Sequence, residues 1–478
     1  MNFRNWKATD NQQRTLFMQE IIDQALTILR KKSIDGYEIY LDQSSHFGVE
    51  SKDGKVDTFQ ASQSWGMAFR ILIHGRIGFS YSTSSLFFPP GQQNLIGGLE
   101  QIVEDAIASA EAISSDPCFD FAPVLKDSLP HLPIFDETLR GVSEKRKIEM
   151  AKRLEEEVRS VDPERIKKVR KASYQEVISR TILINSNGLE FSYDTTLASI
   201  SVTAVAEESG ESEVGWDFDF SHFLSDLDVE KVGRTAGEKA LERLGGKKIP
   251  TGVYPILLNH HVASEFLSLL AHSFLAEQVQ KGKSLLRGKR GVRFFSPLLS
   301  IVDDGLLQKG VSTSPIDGEG MPSHRTPLVV QGEVSEYLYD RYWANRENLS
   351  SNASPVGSTG NSRRHSIKSP PGIGISNFFI EPGRFPFSAL VRNLQRGLLV
   401  DEVMGLHTVD PISGDFSLGC SGHWIEKGEK VHPVKSIAIA GNLFQLFQKV
   451  VEVGEDLRFF GGVGSPSILV EGLEISGN

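Results

Sequence analysis

The sequence predicts an α+β protein with an N-terminal α/β part and a C-terminal, β-rich, barrel-like part that carries a few helices. Three observations lead to this prediction. A chain of 478 residues is too long for a single hydrophobic core. A helix–strands–helix order occurs twice before residue 247. After it, short apolar runs separated by glycine and proline fill most of the chain.

The first helix–strands–helix unit is assigned to residues 1–120. Apolar periodicity defines its elements, and Asp53-Gly54 and His74-Gly75 supply turns for hairpins. The predicted elements are a helix at Asn11–Lys32, strands at Tyr37–Leu41, Phe47–Ser51, Val56–Ala61, Met67–Ile73 and Ile77–Tyr81, and a helix at Leu95–Ile113.

The second unit, residues 121–246, repeats this layout. Asn187-Gly188 supplies its hairpin turn, and Gly245-Gly246 ends its last helix. The repeated order of helices and strands indicates an internal duplication. The predicted elements are a helix at Ser143–Val161, strands at Ile166–Lys171, Ser179–Ile184, Leu189–Tyr193 and Leu197–Val205, and a helix at Asp228–Leu244.

Residues 247–478 are assigned to the β-rich C-terminal domain. A strand at Tyr254–Leu258 leads into the longest clean helical pattern of this half, at His260–Ser284. Short strands then alternate with turn residues, as in a barrel or a sandwich. These are strands at Leu298–Val302, Leu328–Val330, Gly397–Val403, Ser436–Ile439 and Ile468–Val470, with a helix at Asn442–Val451.

Composition and charge argue against several classes of protein. The formal net charge is −10, without the concentrated positive face that a phosphate backbone requires, so nucleic acid is not expected as a ligand. Two cysteines, Cys118 and Cys420, exclude a disulfide framework and are typical of a reducing cytoplasm. No stretch approaches the roughly 20 apolar residues of a membrane span, and the first residues do not resemble a signal peptide. A soluble, cytoplasmic protein without membrane contact is expected.

The helix at His260–Ser284 is the first place to search for a metal centre, because His261, Glu265 and His272 point the same way. The two imidazoles are separated by about 16 Å along the helix axis, whereas zinc–nitrogen bonds are about 2 Å long. One zinc ion therefore cannot bind both. Ordinary polar residues on an amphipathic helix are the favoured interpretation.

Two polar segments are candidates for a substrate site. Asp317 and Glu319 place two carboxylates among glycines, which suits a cation or an acid–base pair, although a solvated turn is the favoured alternative. The second segment offers amides and guanidinium groups to a carboxylate or an extended backbone, unless it is simply a flexible basic loop. Its candidate residues are Gly360, Asn361, Arg363 and Arg364. No serine-hydrolase elbow, Walker A segment or dinucleotide fingerprint occurs.

Several segments, in consistent order, resemble the TldD/PmbA family, and most closely its PmbA (TldE) branch, also named a modulator of DNA gyrase. They cover nearly the whole chain, and the resemblance implies an α/β part followed by a β-rich part. The segments are Val49–Ser82, Leu275–Gly291, Ile316–Pro322, Ser358–Arg364, Ser413–Glu429 and Ile439–Leu457.

The resemblance implies two unlike subunits. The TldD chain is a zinc peptidase whose helix carries H-E-x-x-x-H, with a cysteine near the C-terminus as a further ligand. The PmbA-type chain pairs with it, and the complex cleaves extended, unstructured peptides. Counted back from Lys281–Ser284, His272 matches the second histidine, but Leu267 and Ser268 stand in place of the first histidine and the glutamate. Gly464-Ser465-Pro466 stands where TldD-like chains carry the cysteine.

The resulting hypothesis is a PmbA/TldE-like, non-zinc subunit of a cytoplasmic metallopeptidase that processes or degrades unfolded peptides. No catalytic residue, metal or cofactor is expected in this chain, and zinc is expected in a TldD-type partner. The peptide is expected to add as a strand to an exposed sheet edge, with the two polar segments near its channel. Without its partner the chain could form a homodimer. A regulatory protein that binds another protein, and a self-sufficient peptidase with an unrecognised site, stay open as alternatives.

Overall fold

The computed structural model describes residues 9–83, 95–126, 128–350 and 354–477. Within those ranges a curved N-terminal sheet carries helices on one face, and a C-terminal part contains a closed barrel and a second mixed sheet. The predicted α+β class, with an α/β part followed by a barrel-like part, is confirmed. No helix in the described ranges has the length and apolar character needed to cross a membrane.

Long antiparallel strands dominate the N-terminal half. In chain order its elements are α1 (Thr9–Leu29), β1 (Gly36–Lys52), β2 (Lys55–Ile73), β3 (Arg76–Ser82), α2 (Leu95–Glu111), α3 (Glu144–Val161), β4 (Ile166–Asn185), β5 (Glu190–Glu208), β6 (Glu211–Ser221) and α4 (Val229–Glu242). The strands form one sheet, the N-terminal sheet, in the order β3-β2-β1-β4-β5-β6. The two predicted units therefore contribute three strands each to a single sheet.

Five features of this sheet differ from the sequence prediction. The predicted breaks after Leu41, Ala61, Lys171 and Tyr193 are wrong, because β1, β2, β4 and β5 each continue through the predicted gap. The residues in these gaps are mostly polar. Apolar periodicity cannot detect a strand of polar residues that is stabilised by hydrogen bonds to the neighbouring strand. Strand β6 is missing from the prediction because its sequence, ESEVGWDFDFS, is rich in charge. Pairing to β5 across the Ser209-Gly210 turn forms it.

The two units share a close contact between helix and strand that supports the duplication. Gly78 in β3 lies under α2, where a Cβ atom would come within 1.9 Å of the Ala106 carbonyl oxygen. Gly215 in β6 lies under α4, where a Cβ atom would come within 2.2 Å of the Ala236 carbonyl oxygen. The third strand of each unit thus meets the second helix of that unit at a glycine, which alone allows so close an approach.

Helices cover one face of the N-terminal sheet at both ends. Helices α1 and α2 pack on β1 and β2 around Ile21 and Phe69, and α3 and α4 pack on β4 and β5 around Leu154 and Tyr174. All four side chains are fully buried. Because successive residues of a strand alternate between faces, Arg70 lies on the opposite face, toward the C-terminal part.

The C-terminal part is built from shorter elements. They are β7 (Gly252–Leu258), α5 (His260–Ala271), α6 (Ala276–Gln280), β8 (Ile301–Asp304), β9 (Arg325–Val330), β10 (Glu333–Val334), α7 (Arg341–Ser350), β11 (Ser362–Arg363), β12 (Gly372–Ile373), β13 (Phe378–Ile380), α8 (Phe387–Leu394), β14 (Arg396–Met404), β15 (Asp415–Glu426), β16 (Glu429–Asn442), α9 (Leu443–Gln448), β17 (Val450–Val453), β18 (Arg458–Phe460), β19 (Val463–Ser465) and β20 (Ile468–Ser476). The order β16-β15-β14-β7-β20 closes into a barrel because β16 also pairs with β20. The order β10-β9-β8-β13-β19-β18 forms the mixed sheet.

The helix predicted at His260–Ser284 is too long, because α5 ends at Ala271. A single 3-10 turn follows, and Leu275 then adopts an extended conformation, with φ −71° and ψ 124°. Ala276 donates its N–H to the carbonyl oxygen of Leu338 at 2.9 Å, a partner outside the helix. Helix α5 packs against β14 of the barrel and β19 of the mixed sheet, so it lies inside the C-terminal core.

Candidate functional site

The two candidate segments, 317–319 and 360–364, lie against each other. The Gly318 amide donates to the Ser362 carbonyl oxygen at 2.8 Å, and the Ser362 amide donates to the Asp317 carboxylate at 3.0 Å. A Cβ atom on Gly318 would lie 3.2 Å from the Arg363 backbone, so a larger residue would push the segments apart. The structure therefore brings the predicted residues together, next to the N-terminal sheet.

Charged side chains from both parts of the protein are buried at this place. We call Glu38, Arg70, Glu319 and Arg364 the junction cluster. Arg70 donates from Nε and Nη2 to the two oxygens of Glu38 at 2.9 and 2.6 Å, and from Nη1 to Glu319 at 3.1 Å. Arg364 pairs with Glu38 and donates its Nε to the Gly318 carbonyl oxygen at 2.7 Å. Each buried charge thus has an opposite charge within hydrogen-bond reach, as burial requires.

Electrostatics within the junction cluster favour the charged forms of Glu38 and Arg70. Burial alone would raise the pKa of Glu38, but Arg70 and Arg364 outweigh burial and lower that pKa below its ordinary value. Burial would lower the pKa of Arg70, but Glu38 and Glu319 raise it. The cluster therefore acts as a fixed ionic contact between the N-terminal sheet and the C-terminal part.

Two further carboxyl groups beside the cluster titrate abnormally. Burial, followed by the negative charge of Glu319, raises the pKa of Asp317, and the same two causes raise the pKa of Asp340. The Asp317 carboxylate accepts hydrogen bonds from the backbone amides of Glu319, Met321 and Ser362. Asp317 therefore shapes the turn around itself, and its oxygens are already used.

The remaining candidates belong to segment 360–364. Asn361 is buried and donates to the Asp303 carboxylate at 2.7 Å. Gly360 has φ 73°, and a Cβ atom there would lie 2.4 Å from the Pro322 carbonyl oxygen. Arg363 differs, because its Nε and Nη2 are buried without a hydrogen-bond partner among the described residues. Its guanidinium is the group best placed to serve a ligand, and the role of all six candidates in a substrate channel stays a prediction.

The positions that the resemblance aligns with the family zinc motif do not fit a zinc site. Leu267 is fully buried in the core, while Ser268 and His272 are exposed. Ser465 is fully buried and donates its hydroxyl to the Pro466 carbonyl oxygen at 2.7 Å. A catalytic zinc needs about three protein ligands. Across the described ranges, no three His, Cys, Asp or Glu side chains are grouped so that they could hold a metal.

A second group, which the sequence did not predict as a unit, lies at the start of α5. We call His261, Glu265, Trp216 and Phe460 the aromatic cleft. The His261 ring contacts Trp216 and Phe460, with centroid distances of 4.9 and 4.8 Å, and its Nε2 lies 3.6 Å from the Glu265 carboxylate. Trp216 donates its indole N–H to Glu402 at 3.1 Å. Alternating aromatic and acidic residues in WDFDF, at 216–220, were the available sequence signal, since they place three rings on one strand face.

Burial controls both titratable groups of the aromatic cleft. It lowers the pKa of His261 to about 4, with a contribution from Lys239, and raises the pKa of Glu265 to about 7, with a contribution from Glu402. Oε2 of Glu265 is buried and has no hydrogen-bond partner among the described residues. The imidazole is therefore neutral at physiological pH, while the carboxyl group gains or loses its proton in that range.

Family models match most of the chain. The model described as PmbA/TldA metallopeptidase domain 1 matches residues 37–110. The central domain of the same family matches residues 137–244, and its C-terminal domain matches residues 251–477.

Two curated relatives match this chain over about nine tenths or more of its length. Metalloprotease PmbA of Escherichia coli O157:H7 is 27% identical, and the match covers 96% of this chain and 96% of that one. A metalloprotease TldD homolog of Haemophilus influenzae is 25% identical, with 91% of this chain and 89% of that one covered. Proteins named PmbA and proteins named TldD are thus both similar to this chain.

Solved structures share the fold. A putative modulator of DNA gyrase from Thermotoga maritima superposes with a TM-score of 0.85 at 26% identity, covering 96% of this chain and 100% of that one. TldE from Thermococcus kodakarensis superposes with a TM-score of 0.84 at 21% identity, with the same coverage, and supports the fold alone. With family models matched along most of its length, the chain belongs to the PmbA/TldD metallopeptidase family.

Proposed function

We propose that this chain is the PmbA/TldE-type, non-zinc subunit of a two-chain metallopeptidase whose TldD-type partner holds the zinc. The observation that carries the proposal is the replacement of zinc-helix residues by Leu267 and Ser268, with Leu267 inside the hydrophobic core. Zinc hydrolysis needs ligands and a general base at such positions. A chain that lacks them requires a second chain for this chemistry.

The proposed substrate is an extended, unfolded peptide in the cytoplasm. The similarity to proteins named metalloproteases supports a peptidase role. Cys118 and Cys420 are both free and buried, which suits a reducing compartment. Arg363, with two donors that lack a hydrogen-bond partner within the described part of the chain, is proposed to bind a backbone carbonyl or a carboxylate of the peptide.

The other five candidates are proposed to position this site rather than to contact the peptide. Four of them have polar side chains, which are already bonded within the protein, as the partners of Glu319 and Arg364 illustrate, and the fifth is Gly360. Their shared effect is to hold segment 360–364 against the N-terminal sheet. The proposed channel wall is therefore rigid around one available guanidinium.

The proposal is tested by mixing this chain with the TldD-type chain of the same organism. Cleavage of an unfolded, fluorescence-quenched peptide is expected to be at least about tenfold faster with both chains than with either alone, a barrier difference of about 1.4 kcal/mol. Metal analysis is expected to find zinc in the partner and in the pair, but not bound stoichiometrically to this chain. Equal activity of the partner with and without this chain would contradict the proposal.

A further inference from the structure

The aromatic cleft lies on the face of the N-terminal sheet that is turned toward the C-terminal part. Val202 and Ala204 of β5 are buried in the core that β5 forms with α3 and α4, so Thr203 between them points to the other face. Trp216 of β6 is paired directly with Thr203 and therefore lies on that face too. The cleft thus shares a face of the sheet with Arg70 and the two predicted site segments.

Most ionisable side chains around the cleft already have a partner of opposite charge. Contacts between acidic and basic groups join β6 and α4 of the N-terminal half to β14, β18 and α5 of the C-terminal part. The pairs, each at 3.4 Å or closer, are Arg243 with Glu402, Lys239 and Arg458 with Asp217, and His260 with Asp456. The basic groups nearest the cleft are therefore already engaged.

Glu265 is the exception among these acidic residues. Within the described part of the chain, no lysine or arginine lies within ion-pair distance of its carboxyl group, and His261, at 3.6 Å, is neutral at physiological pH. Burial, and then the negative charge of Glu402, raise the pKa of Glu265, and no cation lowers it. The cleft therefore lacks one positive charge.

The carboxyl group of Glu265 is open to a ligand. Its side chain is 27% exposed, and that of Glu402 is 31% exposed. Because Oε2 of Glu265 is buried and has no hydrogen-bond partner among the described residues, Oε1 is the oxygen that a ligand reaches. A positive group at Oε1 would supply the missing charge and offset the repulsion from Glu402.

The surroundings of Glu265 favour an organic cation over a metal ion. A metal needs several protein ligands, and no three His, Cys, Asp or Glu side chains in the described ranges are grouped to hold one. The half-buried rings of Trp216 and Phe460 exclude water, which strengthens attraction between opposite charges. Cations already lie against both rings. The Lys239 ammonium is 5.5 Å from the Trp216 centroid, and the Arg458 guanidinium is 5.5 Å from the Phe460 centroid.

We infer that the aromatic cleft binds one cationic group of a peptide, with Glu265 as its counter-charge. The inference rests on the proposed function for the peptide nature of the ligand, and it assigns a residue that selects among peptides. Lysine and arginine side chains and an N-terminal ammonium share the required chemistry, a positive charge with N–H donors for Oε1. A peptide without such a group leaves the Glu265 carboxylate without a counter-charge.

The test compares three ten-residue unfolded peptides, each titrated into the full chain by isothermal titration calorimetry at physiological pH. The reference peptide is acetylated and amidated at its ends and contains no lysine, arginine or histidine. The second has the same sequence with a free N-terminus, and the third is acetylated and carries one central lysine. At least one cationic peptide is expected to bind about tenfold more tightly than the reference, and which one does so identifies the source of the charge.

Two variants assign the preference to the cleft. Glu265→Gln keeps the size of the side chain and removes its charge, so this variant is expected to bind all three peptides alike. Glu238→Gln, at an exposed position of α4, is the control and should keep the tenfold preference.

Three results would overturn the inference. They are equal binding of the three peptides by the wild-type chain, no binding of any of them, and a preference for the cationic peptide that survives in a folded Glu265→Gln chain. The titrations need neither the TldD-type chain nor cleavage. Failure of the proposed function is therefore recognised separately, by unchanged partner activity.

Discussion

The carboxyl group of Glu265 shows how burial changes the chemistry of one residue. Its pKa rises from an ordinary value of 4.5 to about 7, because burial and the nearby Glu402 both disfavour the charged form. Between those two values the folded protein binds more protons at this position than the unfolded chain does. The contribution of this group to the free energy of unfolding of the protein therefore falls as the pH rises through 7.

Replacing Glu265 with glutamine removes that pH dependence. The free energy of unfolding of Glu265→Gln, relative to that of the wild type, is expected to be about 1–2 kcal/mol higher at pH 8 than at pH 5. The reason is that the variant buries no charge at the higher pH. Urea unfolding at both pH values measures the difference. Glu238→Gln, at an exposed position of α4, is the control and should show no such gain. Parallel stability curves for Glu265→Gln and the wild type would rule out the assigned burial effect.

At the scale of elements, the contacts of Gly78 with α2 and of Gly215 with α4 set the distance between the N-terminal sheet and its helices. Gly215→Ala places a Cβ atom against the Ala236 carbonyl oxygen, and overpacking of this kind costs about 1–3 kcal/mol. Gly48→Ala in β1 is the matched control, because its Cβ atom would meet only Gln175 Cγ at 3.8 Å. Denaturant unfolding should therefore separate the two variants, and equal stabilities would show that α4 can move away without cost.

Element boundaries show where sequence patterns work and where they fail. Turn signals such as Asp53-Gly54 and His74-Gly75 predict hairpins correctly, because left-handed backbone at both turn residues restricts the residue types that fit. Apolar periodicity fails to predict β6, because its polar residues form a strand by pairing with β5. It fails again after Ala271, where a 3-10 turn ends the helix and Ala276 donates its N–H to the carbonyl oxygen of the distant Leu338.

At the scale of the whole molecule, the junction cluster joins the N-terminal sheet to the C-terminal part. Arg70→Met leaves Glu319 buried without the arginine that pairs with it, which is expected to cost about 3–5 kcal/mol of unfolding free energy. Lys145→Met is the control, because Lys145 is 86% exposed and its pair with Glu149 contributes little. Denaturant unfolding measures both, and an Arg70→Met variant as stable as the control would show that the cluster does not hold the two parts together.

The sequence by itself determined the family and the α+β class, and it led to the prediction that Leu267 and Ser268 stand in place of zinc-helix residues. These features can be found without a structure because they depend on residue types at short spacing along one chain segment. The sequence also named Asp317, Glu319 and Arg364, but it could not place them, since their partners Arg70 and Glu38 are 249 and 326 residues away.

Tertiary structure alone decided how those residues are used. It engaged most of the predicted site residues in internal hydrogen bonds and left two nitrogens of Arg363 without a partner among the residues that the structure describes. It also assembled the aromatic cleft from β6, α5 and β18. It also brought three cationic side chains to the β6 edge of the N-terminal sheet, from α4, from the residue after α4 and from β18. Hydrogen bonds and burial depend on distances between atoms, and folding brings those atoms together from positions that no local pattern connects.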